Sequence, residues 1–175
     1  MIVSFILIII GLFFIKTMDW KKKITFYQGR FDKTNDQLKD NLLKKYDLLV
    51  KQINIFKKKK KLKIEEYEEF INITKKDIDI NELDKIISEY ENKLTIILQD
   101  NNKLIKEANI KKNNNKIERT TININGIKKY YNNMGTKYNK YIKRFPINII
   151  TKIKKYQEVE LYNINEKDKL KVLDN

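Results

Sequence analysis

Four glutamates, Glu65, Glu66, Glu68 and Glu69, flank Tyr67 and make the densest cluster of acids in the chain. On a helix, carboxylates three and four residues apart share a face and can hold a metal ion. Di-iron bundles complete such a set with Glu-x-x-His pairs, and this sequence contains no His. It contains no Cys either, which excludes disulfides, thiolate or imidazole zinc sites, and Cys–His or Ser–His catalysis. Ser4 and Ser88 are the only serines; one lies in an apolar run and the other has no base at a recognisable spacing. Gly11, Gly29, Gly126 and Gly135 are isolated, so no glycine-rich loop is available to cradle a phosphate. The glutamates therefore read as a solvated face paired with the lysines of 57–63. The expectation is a chain that is not an enzyme and carries no cofactor and no metal.

The 175 residues carry 38 Lys and Arg against 23 Asp and Glu, a formal net charge of +15. A nucleic-acid reader leans on Arg for bidentate base contacts and on aromatics interleaved with cations for stacking. Here Arg30, Arg119 and Arg144 are the only arginines, and the aromatics fall on apolar helical stripes. Nucleic-acid binding by the lysine clusters is kept only as a minor alternative.

With 4 Gly and 1 Pro, the chain lacks the turn residues that strand-rich folds need, and an all-α fold follows. From Ile2 to Ile15 an apolar run is broken only by Ser4 and Gly11. As a helix it spans roughly 21 Å, and Lys16, Thr17, Met18 and Trp20 extend it toward the ~30 Å needed to cross a bilayer. No basic segment precedes the run and no small-residue cleavage site follows it, so it reads as a retained transmembrane anchor over 1–20 rather than a signal peptide. Lys16, Trp20, Lys21, Lys22 and Lys23 then form the membrane interface, and the positive-inside rule puts the N-terminus outside and the bulk in the cytoplasm.

Three stripes follow at steps of three and four residues. The first runs Ile24, Tyr27, Phe31, Asn35, Leu38, Leu42, Tyr46, Leu49, Ile53, Phe56. Its phase continues through the lysine run to Tyr67 and Phe70, which points to one very long helix with a basic gap, a break at the lysine run being the alternative. Asp79, three residues before Glu82, has capping-box spacing; the second stripe then runs from Leu83 to Ala108. Asn113, Asn114 and Asn115 suggest a loop. The third stripe is Ile117, Ile124, Ile127, Tyr131, Met134, Tyr138, Ile142, Phe145, ended by Pro146. The predicted architecture is a transmembrane helix followed by an antiparallel bundle of three to four helices over 21–146. A tail over 147–175 is amphipathic as far as Tyr162 and polar beyond it.

Two blocks are more specific than composition. Residues 130–150 hold two Tyr-Asn pairs seven residues apart, Tyr131-Asn132 and Tyr138-Asn139, followed by Ile142 and Phe145-Pro146. Residues 42–49 hold Lys44, Lys45, Tyr46, Asp47 and Leu48. Both blocks resemble signatures of the LemA family, as do the anchor and the length. The chain departs from the family pattern at Val50-Lys51, where Pro-Asn is usual, and in the lysine run. The resemblance implies a bacterial, single-pass membrane protein with an antiparallel helical bundle and no established activity, acting as a scaffold or adaptor for envelope or membrane-organising proteins. Its partners would be membrane lipid through the anchor and proteins of the cell envelope; an oligomer is also compatible with it. The alternative is direct shaping of membranes through the bundle and its amphipathic tail.

In the bundle, Tyr131 and Tyr138 belong to the core face. Asn132 and Asn139 lie at its edge, where they can bond the tyrosine hydroxyls or a neighbouring helix. Asp47 is placed to pair with Lys44, Lys51 or an Asn of the third helix.

Overall fold

The computed structural model describes the backbone of residues 2–59, 64–73 and 78–164; within these, the side chains of 2–10, 12–18, 64 and 102 lie outside the description. All elements among the described residues are helical. They are α1 (Ile2–Lys58), a 3-10 turn (Ile64–Tyr67), α2 (Glu68–Ile71), α3 (Ile80–Asp100), α4 (Asn102–Ile105), α5 (Ala108–Ile142) and α6 (Ile147–Ile153). Two compact units result. Among the described residues, one comprises 2–34 with 128–164 and the other lies within 35–127, so α1 and α5 each contribute to both.

In the second unit, Leu38, Leu42, Tyr46, Leu49, Ile53 and Phe56 of α1 are buried together with Leu83, Ile87, Tyr90 and Leu94 of α3. α3 starts where its cap allows. The Asp79 carboxylate accepts from the backbone N–H of Asn81 (2.8 Å) and Glu82 (3.3 Å), satisfying two donors that have no partner within the helix.

Two expectations for this unit are corrected. The first stripe does not continue in one helix to Phe70. A straight helix would carry residue 70 roughly 36 Å from residue 46, yet the Tyr46 and Phe70 rings lie 4.9 Å apart. α1 ends at Lys58, and the chain returns so that Tyr67 and Phe70 bury against Tyr46 and Tyr90. Burying those rings outweighs the helical phase that the lysine run left unbroken. Nor do Asn113 to Asn115 form a loop; they lie within α5. The amide of Asn113 is buried and donates to Gln52 Oε1 (2.6 Å) and to the carbonyl of Leu48 (3.0 Å), so tertiary partners override its turn preference. The break falls earlier, at Asn101, where α3 ends.

The first unit packs Trp20, Ile24, Tyr27 and Phe31 of α1 against Tyr131, Met134, Tyr138 and Ile142 of α5. Trp20, one of the expected interface residues, is 7% exposed, with Tyr156 edge-on at 5.9 Å. Lys21, Lys22 and Lys23 are exposed, and Lys23 Nζ sits 4.7 Å above the Tyr141 ring. Among the described residues no helix is long and apolar enough to cross a membrane. The anchor expectation rests on residues 2–18, including Lys16; apart from Gly11, their side chains lie outside the described set.

Candidate functional site

The chain after α6 is not helical. Residues 156–164 form no regular element, yet Tyr156, Val159 and Tyr162 pack onto the aromatic core of the first unit. An extended segment cannot satisfy its own N–H and C=O groups, so something else must. Asn132 and Asn139 do so. Asn139 Nδ2 donates to the carbonyl of Val159 (2.9 Å) while its Oδ1 accepts from the N–H of the same residue (2.9 Å). Asn132 repeats the pattern on Tyr162, donating to its carbonyl (2.8 Å) and accepting from its N–H (2.8 Å). A carboxamide carries a donor and an acceptor side by side, as a peptide group does, so each Asn pairs with the main chain as a neighbouring strand would.

The spacing matches. Seven residues of helix separate the two Asn by roughly 10.5 Å, and three residues of extended chain cover roughly 9–10 Å. In a flat strand, residues three apart face opposite sides. Here Val159 and Tyr162 turn the same edge to α5, and Tyr156, Val159 and Tyr162 all face the core. That is the period of a backbone with three residues per turn. Gly135 lies on the same face of α5 between the two Asn. A Cβ there would meet Leu161 Cδ2 at 2.6 Å and Val159 Cγ2 at 3.1 Å, so a side chain at 135 would require the Leu161 side chain to move aside and would press on Val159.

The tyrosines preceding each Asn turn into the aromatic core. Tyr131 lies tilted against Phe31 (5.1 Å) and edge-on to Tyr162 (4.9 Å), and Tyr138 edge-on to Phe31 (5.5 Å) and Tyr27 (5.7 Å). Burial raises the pKa of both phenols; Glu160 adds to the effect at Tyr131 and Tyr156 at Tyr138. The Asn amides therefore do not serve the tyrosine hydroxyls, as one sequence-based option had it, but the main chain of the tail. Ile142 is buried and its carbonyl accepts from Thr151 Oγ1 (3.1 Å), which ties α6 to the end of α5. Phe145 is exposed and Pro146 occupies the position before α6.

The other block is divided among several tasks. Lys45 is buried and its Nζ reaches Glu91 at 2.7 Å. The Tyr46 hydroxyl sits between the carbonyls of Phe70 (2.9 Å) and Ile71 (2.8 Å) and fastens the returning segment. Leu48 offers its carbonyl to Asn113. Lys44 and Asp47 are not buried, and Asp47 borders a shallow hollow along one face of α1 with Val50, Lys51 and Asn54. Glu65, Glu66, Glu68 and Glu69 are exposed and split between the 3-10 turn and α2. Sequence reasoning missed Gly135, Thr151, Val159 and Tyr162. The readable signal was two Asn at the helical edge with a glycine at the intervening step.

Compared with known proteins, residues 35–173 match the model of the LemA family. No curated protein and no solved structure matches the chain.

Proposed function

The chain belongs to the LemA family, and we propose that it is a non-enzymatic bacterial membrane protein whose bundle serves as a scaffold or adaptor for envelope or membrane-organising partners. The observation that carries this reading is how the shared polar residues are used. Lys45, Tyr46, Asn132 and Asn139 each hold one segment of the fold to another. Residues used to brace a scaffold suit display of a surface better than turnover of a substrate. The apolar run supports attachment to a membrane, because the backbone of α1 continues without a break from Ile2 to Lys58. A helix leaving the bilayer would tether the chain to it.

The absence of cysteine makes the topology testable. An Asn175→Cys variant is challenged in intact cells with a membrane-impermeant maleimide, and again after lysis. Protection until lysis is expected; labelling of intact cells puts the bundle outside and overturns the cytoplasmic placement. For the adaptor role, the full chain extracted in two unrelated detergents is expected to retain the same stoichiometric partner. Recovery of the chain alone from both counts against it.

A further inference from the structure

Ile149 and Ile153 are 51% and 72% exposed one turn apart on α6, and Phe145, 80% exposed, lies in the turn that leads into it. Single exposed apolar side chains are ordinary, but three large ones within nine residues mark a contact surface. The question is what covers it.

Charge narrows the answer. From Lys140 to Gln157 the chain contains no acidic residue, and the exposed Arg144, Lys152, Lys154 and Lys155 flank the apolar residues in sequence. The nearest acid in sequence, Glu158, is paired with Lys143 at 2.8 Å. Apolar residues in a cationic rim suit an anionic lipid surface, where the apolar edge enters the headgroup boundary and lysines meet the phosphates.

Position narrows it further. Within the first unit, α5 runs antiparallel to α1: Tyr131 meets Phe31, Tyr138 meets Tyr27, and Tyr141 lies beneath Lys23. Each step up α5 is about one step back along α1. Continuing the register brings Arg144 and Phe145 level with Asp19 and Trp20, and Tyr156 does pack on Trp20. Asp19 is the one acid of α1 at that level. The corner between α5 and α6 thus stands level with the end of the anchor over 1–20, just before Lys21 and Lys22 in sequence. Thr151 and the Tyr156–Trp20 contact hold α6 in that place.

We propose that the Phe145–Ile149–Ile153 edge rests on the headgroup layer of the leaflet from which α1 emerges, so that the bundle touches the membrane at a second point. This rests on the anchor reading above, and the test separates the two. Single-cysteine variants Ser4→Cys, Phe26→Cys, Phe145→Cys and Ile149→Cys of the full chain are spin-labelled and placed in vesicles of phosphatidylcholine and phosphatidylglycerol. Phe26 is the control, exposed on the same unit but more than one turn above Trp20. The ratio of collisions with oxygen to collisions with a water-soluble nickel chelate is expected to be several-fold higher at 145 and 149 than at 26, approaching that at 4.

A lipid-like ratio at 4 with 149 no different from 26 overturns the proposal and leaves the anchor standing. An aqueous ratio at 4 overturns both. Shielding from oxygen and nickel together at 149 means that protein, either residues 165–175 or a second copy, covers the edge, and this too overturns it. All the labelled positions outside the anchor are exposed, so folding is spared, and Ile153→Cys provides an independent repeat.

Discussion

The two units of this chain build a third layer onto the same pair of helices in different ways. In the unit formed by 35–127, α3 supplies that layer. It meets its own backbone hydrogen bonds, needs one capping residue, Asp79, and offers α1 a stripe of Leu and Ile. In the unit formed by 2–34 and 128–164, the layer is a short helix and an extended segment. That segment has no internal ladder, so α5 must provide one, through Asn132 and Asn139. A bundle can thus replace a helix by an extended chain, provided that carboxamides stand at the pitch of the backbone they receive. The difference also explains the uneven chemistry of α5. Near its N-terminus Asn113 is buried between helices, whereas in its C-terminal half Asn132 and Asn139 face an extended chain.

The contrast between the layers breaks most severely on the helical side. Phe70→Ala removes a fully buried ring stacked on Tyr90 at 4.3 Å and next to Tyr46. It is expected to cost about 3–5 kcal/mol by denaturant unfolding, with the loss of amide protection concentrated in α1 and α3 between 35 and 100.

The clamp comes next. Asn139→Ala deletes two hydrogen bonds that are only partly buried, so about 1–2 kcal/mol is expected. Asn139→Asp should do no better, since a carboxylate accepts from the N–H of Val159 but cannot donate to its carbonyl. Hydrogen exchange should report faster exchange at Val159 and Tyr162 with α3 unchanged. Equal loosening of α3 would mean that the clamp is not local to its unit.

Glycines sharpen the contrast by about 1 kcal/mol. Gly126→Ala has open space around the new methyl and should gain roughly the full helical preference of Ala over Gly, ~1 kcal/mol. Gly135→Ala has the same preference but must displace Leu161 and Val159, so its net gain should be smaller and the tail amides less protected. An equal gain at both sites would show that the tail does not press on Gly135.

The smallest effect at neutral pH is alkaline. Tyr131, Tyr138 and Tyr141 in one unit and Tyr67 in the other have pKa values raised above 10.0, first of all by burial. A phenol that ionises later when folded than when unfolded contributes stability that is complete below pH ~10 and is lost as the pH climbs through the raised value. With three such phenols against one, the aromatic unit should lose amide protection first in an alkaline titration.

Much of the architecture was legible in the residues. The step of three and four placed Leu38, Leu42, Leu49, Ile53, Leu83 and Ile87 on buried faces, and those positions are buried. Phase is a local property of a helix, so local order is enough to reveal it. The lysine run misled because nothing in a helical phase says when a chain must turn back. That is decided by where Tyr67 and Phe70 find aromatic partners. Asn113 misled for the same reason, since its loop preference is outweighed by Gln52 and by a carbonyl on another helix. Asn132 and Asn139 were recognisable as edge positions, but their ligand was not, because a tail without helical or strand periodicity carries no pattern to read.

By itself the sequence determined the all-helical class, the core stripes, the capped start of α3 and the absence of thiol and imidazole chemistry. Each depends on residue type and on spacing along one element. The tertiary structure alone decided that α1 ends at Lys58, that Trp20 lies under Tyr156, and that two Asn two helical turns apart hold an extended tail. These join residues distant in the chain, and only folding brings a carboxamide within hydrogen-bond reach of the main chain it completes.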